Sequence, residues 1–262
     1  MGEATGGEGT AARSAAVSSI VVATASYHQT RRNYFSQTHM KSAAFQARRA
    51  IAIERDFVRA GDLSGAEYTG CVIGAILMGV AAIEAAISEV YITAYEKDAA
   101  QRSVVEAALS VLWEVVRRNP TLDRAKIALK QAGKTSDEIL CWKNTDDLLK
   151  WRNMLTHYTA GSVVVGSSTP DVPVSSPPDM ERLLASKKIA QTYYPDYPSF
   201  PYTYLSGSCA RWAVESSKQF IDDFCQAMDQ PSPFALIEQF ERNAGRPSPF
   251  VVEPLSQAAS GQ

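Results

Sequence analysis

Leu148-Leu149-Lys150-Trp151-Arg152-Asn153-Met154-Leu155-Thr156-His157-Tyr158 reads as an amphipathic helix. At about 100° per residue, Leu148, Trp151, Met154, Leu155 and Tyr158 share an apolar side, while Arg152, Asn153, Thr156 and His157 fan over roughly 140° of the other. Arg152 and His157 therefore flank a polar surface without stacking on each other. A permanently charged guanidinium can hold a phosphate through two parallel hydrogen bonds, and an imidazole can exchange a proton with a ribose hydroxyl. Together they supply the charge stabilisation and acid–base transfer that RNA cleavage without a metal requires. Arginine followed at short range by histidine also occurs from Arg32 to His39, in a polar run of unclear helical register, so context favours the pair at 152 and 157.

Working outward from this segment, helical spacing dominates. Ala44, Phe45, Ala47, Ile51 and Val58 predict a helix from about Gln37 to Ala60, stopped by Gly61. Ser64 caps the next, Ala66 to Lys97, with Ile73, Leu77, Val80, Tyr91 and Tyr95 on one stripe and small residues Gly70, Gly74, Ala75 and Gly79 for close helix approach. Further helices are expected over Gln101 to Arg118, ended by Asn119-Pro120, over Leu122 to Ala132, ended by Gly133, and from Ser136 or Asp137 to Tyr158. Gly161 to Pro178 is rich in Gly, Ser and Pro and reads as loop, around a short Val163-Val164-Val165 run. Asp179 to Gln191 is helical in pattern, Tyr193 to Tyr204 is broken by prolines, and a last major helix opens at Ser206 or Ser208 and runs to Met228. Ile20 to Tyr27 fits a short strand or a helix start equally well.

The expected architecture is all-α: an antiparallel helical bundle with a long loop insertion before the last major helix. Residues 1–17 are expected to be disordered, and residues 18–229 to form a single helical domain with core helices over 37–158 and 207–228 and an insertion over 159–206. Residues 230–262 hold one short helix, Pro233 to Arg242, and a flexible tail.

At 262 residues with 45% hydrophobic and 21% charged residues, the chain can bury a substantial core. A net charge of −2 gives no global drive toward nucleic acid, so any RNA contact must be local. The arginine-rich run from Arg31 to Arg59 is either such a patch or a solvated helix face. Cys71, Cys141, Cys209 and Cys225 are too scattered for a zinc site or a disulfide framework, so no metal or other cofactor is expected and a reducing cytoplasm is the simplest setting. The N-terminus lacks the pattern of a signal peptide. The apolar run Cys71 to Ile83, interrupted by Glu84, is shorter than the roughly 20 residues of a bilayer span, so no membrane partner is expected.

Trp151-Arg152-Asn153-Met154-Leu155-Thr156-His157-Tyr158, supported by Ala82-Ile83-Glu84-Ala85-Ala86-Ile87-Ser88-Glu89-Val90-Tyr91, resembles the HEPN domain family (higher eukaryotes and prokaryotes nucleotide-binding) over roughly Gln37 to Met228. The resemblance implies a helical bundle that pairs into a homodimer. It further implies a metal-independent endoribonuclease of toxin–antitoxin or antiphage systems, acting on RNA or a nucleotide and accompanied by a cognate antitoxin or regulatory protein. Carried over, Arg152 and His157 are the catalytic arginine and histidine and Asn153 the polar residue after the arginine, whereas Tyr158 directly follows the histidine instead of standing two positions after it. The family also includes members that bind without cleaving, which makes a non-catalytic nucleotide-, RNA- or protein-binding module the alternative, beside a purely structural helical interaction protein.

Residue by residue, two readings stand at several positions. His157 is either the acid–base group or a histidine at a helix end satisfying the last carbonyls. Arg152 is either a phosphate ligand or an ion-pair partner of Asp147 or of a neighbouring helix. Glu84 enters an apolar line and needs a partner if buried, for which Arg152 or His157 is expected, with Glu84 orienting the site; otherwise its stripe turns to solvent. Thr156, Tyr158 and Ser88 are assigned to substrate binding, although Ser88, like Tyr91, also fits packing. Trp113, Trp142, Trp151 and Trp212 read as core, and the tyrosines of 193–204 either pack the loop against the helices or stack on bases.

Overall fold

The computed structural model describes residues 35–60, 65–157, 178–187, 189 and 201–253, and among them the regular structure is helical, without a strand. The fold is all-α. Its helices are α1 (Phe35–Ala60), α2 (Gly65–Glu96), α3 (Val104–Val116), α4 (Thr121–Gln131), α5 (Trp142–Thr156), α6 (Pro178–Ser186), α7 (Gly207–Ala227) and α8 (Ala235–Asn243). All belong to one compact unit that begins at Phe35. The expectations for residues 1–17, Ile20 to Tyr27, the Arg32 to His39 motif up to Tyr34, Tyr158, Val163 to Val165, Tyr193, Tyr194 and Tyr197, and the end of the tail lie outside the described residues.

Helix α2 is the centre, packed against α1, α3, α4, α5 and α7. Because neighbours cover several of its sides, its buried residues extend beyond the single expected stripe: Val80 and Tyr91 of that stripe are buried, but so are Tyr68, Val72, Ile76, Ile83, Ile87 and Val90, while Ile73 and Leu77 are half-buried and Tyr95 is exposed. In α1, Ala44, Ala47 and Ile51 of the expected face are buried, together with Met40, Ala43 and Ala50, and Phe45 alone of the described expected residues is exposed. Gly79 lets α2 approach α7 closely, since a Cβ there would stand 2.8 Å from Ser217 Oγ; at Gly70 it would meet open space. The apolar stretch does not stop at Glu84. Helix α2 contains an 18-residue window of mean hydropathy 2.2, long and apolar enough by composition to cross a membrane, and 56% of that window is buried inside the protein.

Local chemistry sets several helix ends. Ser103 and Glu106 form a reciprocal capping box at the start of α3, with Ser103 Oγ accepting from Glu106 N–H at 3.2 Å and Glu106 Oε2 accepting from Ser103 N–H at 2.8 Å. Ser206 caps α7 by accepting from Cys209 N–H at 3.2 Å. Gly133 takes the left-handed conformation, φ 71°, just beyond α4. The single helix expected from residue 136 or 137 to 158 is instead a short turn of 3-10 helix, Ser136–Glu138, followed by α5. The break falls at Ile139 and Cys141, both buried, which turn inward between the two pieces. Helix α5 ends at Thr156, so His157 is its C-cap and not a helical residue.

The insertion carries α6, where a helix is expected from Asp179 to Gln191, and a 3-10 turn, Tyr202–Tyr204, with Tyr204 buried against the core, as the packing reading of these tyrosines expects. Lys187, just after α6, is anchored on α5: its Nζ lies 2.8 Å from Asp147 Oδ2 and 2.7 Å from Asn144 Oδ1, and Asp147 is buried. The expected flexible tail is packed as far as Val252. Phe250 is buried with its ring centroid 4.7 Å from that of Phe234, and Arg48 donates to the Pro249 carbonyl at 2.7 Å. Of the tryptophans, Trp151 is fully buried, while Trp113, Trp142 and Trp212 are half-buried and packed against the core.

Candidate functional site

Three helices bring polar groups to one place. Helix α2 contributes Glu84 and, one turn later, Ser88; α4 contributes Thr121 and Arg124, three residues apart on one face; α5 contributes Arg152. Arg152 Nη2 donates to Glu84 Oε1 in an ion pair, so of the partners expected for the glutamate it is the arginine that reaches it. The Arg152 side chain is 25% exposed and that of Glu84 37%, which leaves the pair within reach of solvent. Asp147 is not the partner of Arg152; it is engaged by Lys143 at 3.2 Å and by Lys187.

Around this pair, Thr121 Oγ1 donates to the same Glu84 oxygen at 3.2 Å, and Arg124 Nη1 donates to Ser88 Oγ at 2.8 Å. Ser88 Oγ donates in turn to the Glu84 backbone carbonyl at 2.8 Å. The hydroxyl of buried Tyr91 donates to the Arg124 carbonyl at 2.8 Å, and burial pushes that phenol up to about 12, so it stays neutral at physiological pH. Burial holds Arg124 below its ordinary value, with Glu84 and Tyr91 acting the other way. Nε of both Arg124 and Arg152 is buried without a hydrogen-bond partner among the described residues.

Sequence reading missed Thr121 and Arg124. A signal was present: Arg124 precedes Ala128 by one turn and stands among Ala125, Ala128 and Leu129, so a cation occupies the apolar face of α4.

The other expected residues are distributed as follows. His157 is exposed at the end of α5, with its backbone N–H on the Asn153 carbonyl at 3.0 Å. Asn153 is exposed. Thr156 is exposed, but its hydroxyl is spent on the Arg152 and Asn153 carbonyls, each at 3.1 Å. Glu84, Ser88 and Arg152 are therefore brought together, while Asn153, Thr156 and His157 follow on the last turn and cap of α5. A groove of about 540 Å³ lies elsewhere, between α1 and residues 246–253, and none of the expected site residues lines it.

Cysteine chemistry fits poorly. All four cysteines are buried and free, and burial pushes the Cys141, Cys209 and Cys225 thiols up to about 12, leaving essentially no thiolate at neutral pH. Among the described residues no group of three or more His, Cys, Asp or Glu side chains is arranged to hold a metal ion. The arrangement that remains is a guanidinium oriented by a carboxylate, open on one side, with an exposed imidazole at the end of the same helix. Such a set can bind a phosphate and move a proton.

No family model, no curated protein and no solved structure matches the chain.

Proposed function

We propose that this chain is a metal-independent endoribonuclease of the HEPN type. His157 either takes the proton of a ribose 2′-hydroxyl or gives a proton to the leaving 5′-oxygen, with water serving the other transfer; the 2′-oxygen attacks the adjacent phosphorus as the bond to the 5′-oxygen breaks, giving a 2′,3′-cyclic phosphate and a free 5′-hydroxyl. Arg152 stabilises the charge that builds on the phosphate, and Glu84 and Asn153 fix the geometry. A homodimer, with the sites of two copies facing one shared cleft, a cytoplasmic setting and a cognate antitoxin or regulatory protein in a toxin–antitoxin or antiphage system belong to the same reading. The observation that carries it is the Glu84–Arg152 ion pair, which orients the arginine of the motif while leaving it reachable from solvent.

Purified protein is incubated with total and transfer RNA in the presence of a chelator, beside the His157→Ala and Arg152→Ala variants. Cleavage with cyclic phosphate ends is expected, reduced on the order of 10²- to 10⁴-fold by His157→Ala without loss of fold. Cleavage that survives both substitutions would remove the proposal. A second reading, a module that binds RNA or a nucleotide without cutting it, is favoured by one observation: Arg152 is already engaged by Glu84 and the Thr156 hydroxyl by its own helix. Retention of RNA by the wild type, lost in Arg152→Ala and without any cleavage, would select it.

A further inference from the structure

The polar site between α2, α4 and α5 holds more positive than negative charge. Two guanidiniums, Arg124 and Arg152, lie near one carboxylate, Glu84; it pairs with Arg152 and acts on Arg124 at longer range, and among the described residues Arg124 has no carboxylate within ion-pair distance and Arg152 no second one. The surplus sits largely on Arg124, which is only 8% exposed. A guanidinium does not escape this cost by releasing its proton, because it remains charged throughout the physiological range. Burying a charge without a counter-charge is expensive, and Arg124 has only a neutral serine hydroxyl and the nearby field of Glu84 to offset it.

Glu84 itself has more than one hold. Its Oε1 accepts from Arg152 and from Thr121, and Thr121 lies on the same face of α4 as Arg124. If Arg152 turned away, the carboxylate would keep the Thr121 hydroxyl and the Arg124 charge and would not be stranded. Arg152, with a quarter of its side chain exposed, is the member of the cluster that can turn.

We propose that the site is an anion-exchange device in which Arg152 leaves Glu84 to clamp a phosphate group, and that Arg124 is the positioning residue that retains Glu84 when it does so. The ligand class is a phosphate group of RNA or of a nucleotide, and the internal carboxylate is its competitor. This inference rests on the reading of Arg152 as a phosphate ligand, which both forms of the proposed function share.

The test is calorimetric titration of the full chain with inorganic phosphate, at constant ionic strength, for the wild type and three variants. Glu84→Gln keeps an oxygen for Arg152 and Thr121 but removes the competing charge, so phosphate should bind more tightly, on the order of tenfold. Arg124→Met should weaken binding by a similar factor, and Arg124→Lys, which restores the charge, should recover most of it; this conservative variant keeps the test sharp if the methionine variant misfolds. A purely structural role for Arg124 predicts unchanged phosphate affinity in folded Arg124→Met, and a Glu84 that does not compete with phosphate predicts unchanged or reduced affinity in Glu84→Gln. Either result, or no phosphate binding by the folded wild type, overturns the inference. Phosphate binding with the expected Glu84→Gln gain but no RNA cleavage would retire the ribonuclease and leave the exchange device standing, so the two failures are separable.

Discussion

Glu84 and Glu54 are both half-buried glutamates at helix junctions, and they are satisfied by opposite means. Glu84 faces guanidiniums. Glu54, on α1, faces the N-terminus of α7: its Oε2 accepts from Gly207 N–H at 3.0 Å, and the Tyr68 hydroxyl also bonds to it. Among the described residues Glu54 has no cationic partner. A helix N-terminus offers partial positive charge but no mobile one, and burial accordingly outweighs these hydrogen bonds and pushes the Glu54 carboxyl above its usual range. The lesson is that a carboxylate held by backbone is a fixed joint, because the donor cannot leave without unwinding the helix, whereas one held by an arginine side chain can be traded for another anion.

The strongest way to break this contrast is at the fixed joint. A Cβ added at Gly207 would collide with Glu54 Oε2 and come within 2.9 Å of Ile51 Cγ1, with the Ile51 backbone Cα at 3.4 Å behind it. Gly207→Ala is expected to cost about 1–3 kcal/mol, read from the urea midpoint at unchanged slope. A wild-type midpoint would mean that Glu54 can step aside and is not a fixed joint. At the exchangeable site the loss should be smaller. Glu84→Ala leaves two guanidiniums without a carboxylate, but water reaches a position that is 37% exposed, so about 1 kcal/mol is expected, well short of the cost of breaking a fully buried pair. Added phosphate should return more of that loss in the variant than it adds to the wild type, measured as a shift in melting temperature.

The smallest effect is one of pH. The folded-state pKa of Glu54 is raised, so the folded chain holds this proton more tightly than the unfolded one, and its contribution to stability is fully present below the ordinary carboxylate pKa and lost as pH rises through the folded value. Glu54→Gln keeps an acceptor for Gly207 N–H and has no proton to lose. It should flatten the decline in stability just above the ordinary carboxylate range, seen by comparing unfolding curves of the two proteins across that range. Identical pH profiles would show that Glu54 titrates as a solvated acid and would remove the reading of it as a carboxyl buried against a helix end.

Much of the helical order was legible because it is written locally. Ser206 and Asn119-Pro120 mark helix ends by chemistry that operates within one turn, whereas the helix expected from Gln101 starts at Val104, where the Ser103–Glu106 box went unread. The inward faces were harder. A periodic stripe is decisive only for a helix with one covered side, and α2 is covered on several, so Ile73 and Leu77 matched the expected period and yet lie at its partly open flank while Ile76, Ile83 and Ile87 are sealed. The break before Trp142 was invisible for a related reason: Ile139 and Cys141 look like members of a helical repeat until tertiary packing draws them inward. At the site, Glu84 and Arg152 were legible as a carboxylate in an apolar line and an arginine on a polar one. Arg124 was overlooked because α4 balances Asp123, Lys126 and Lys130 around it and reads as an ordinary solvated helix. Its meaning comes only from α2, across a separation of 36 residues.

The anchoring of Lys187 on Asn144 and Asp147 has a consequence for how this chain can vary. The backbone departs from α5 at His157 and is tied back to the same helix at Lys187, so both ends of the excursion are fixed by one rigid rod. The entropy of closing such a circuit grows only with the logarithm of its length, and doubling it costs only about 0.6 kcal/mol. A residue added inside α2 or α5 would instead rotate everything beyond it by about 100° and scatter Glu84 and Arg152 to different sides. Growth, shortening and the grafting of foreign sequence should therefore be tolerated in the excursion outside α6, whose Leu184 is buried in the core, and forbidden in the two helices that carry the ion pair.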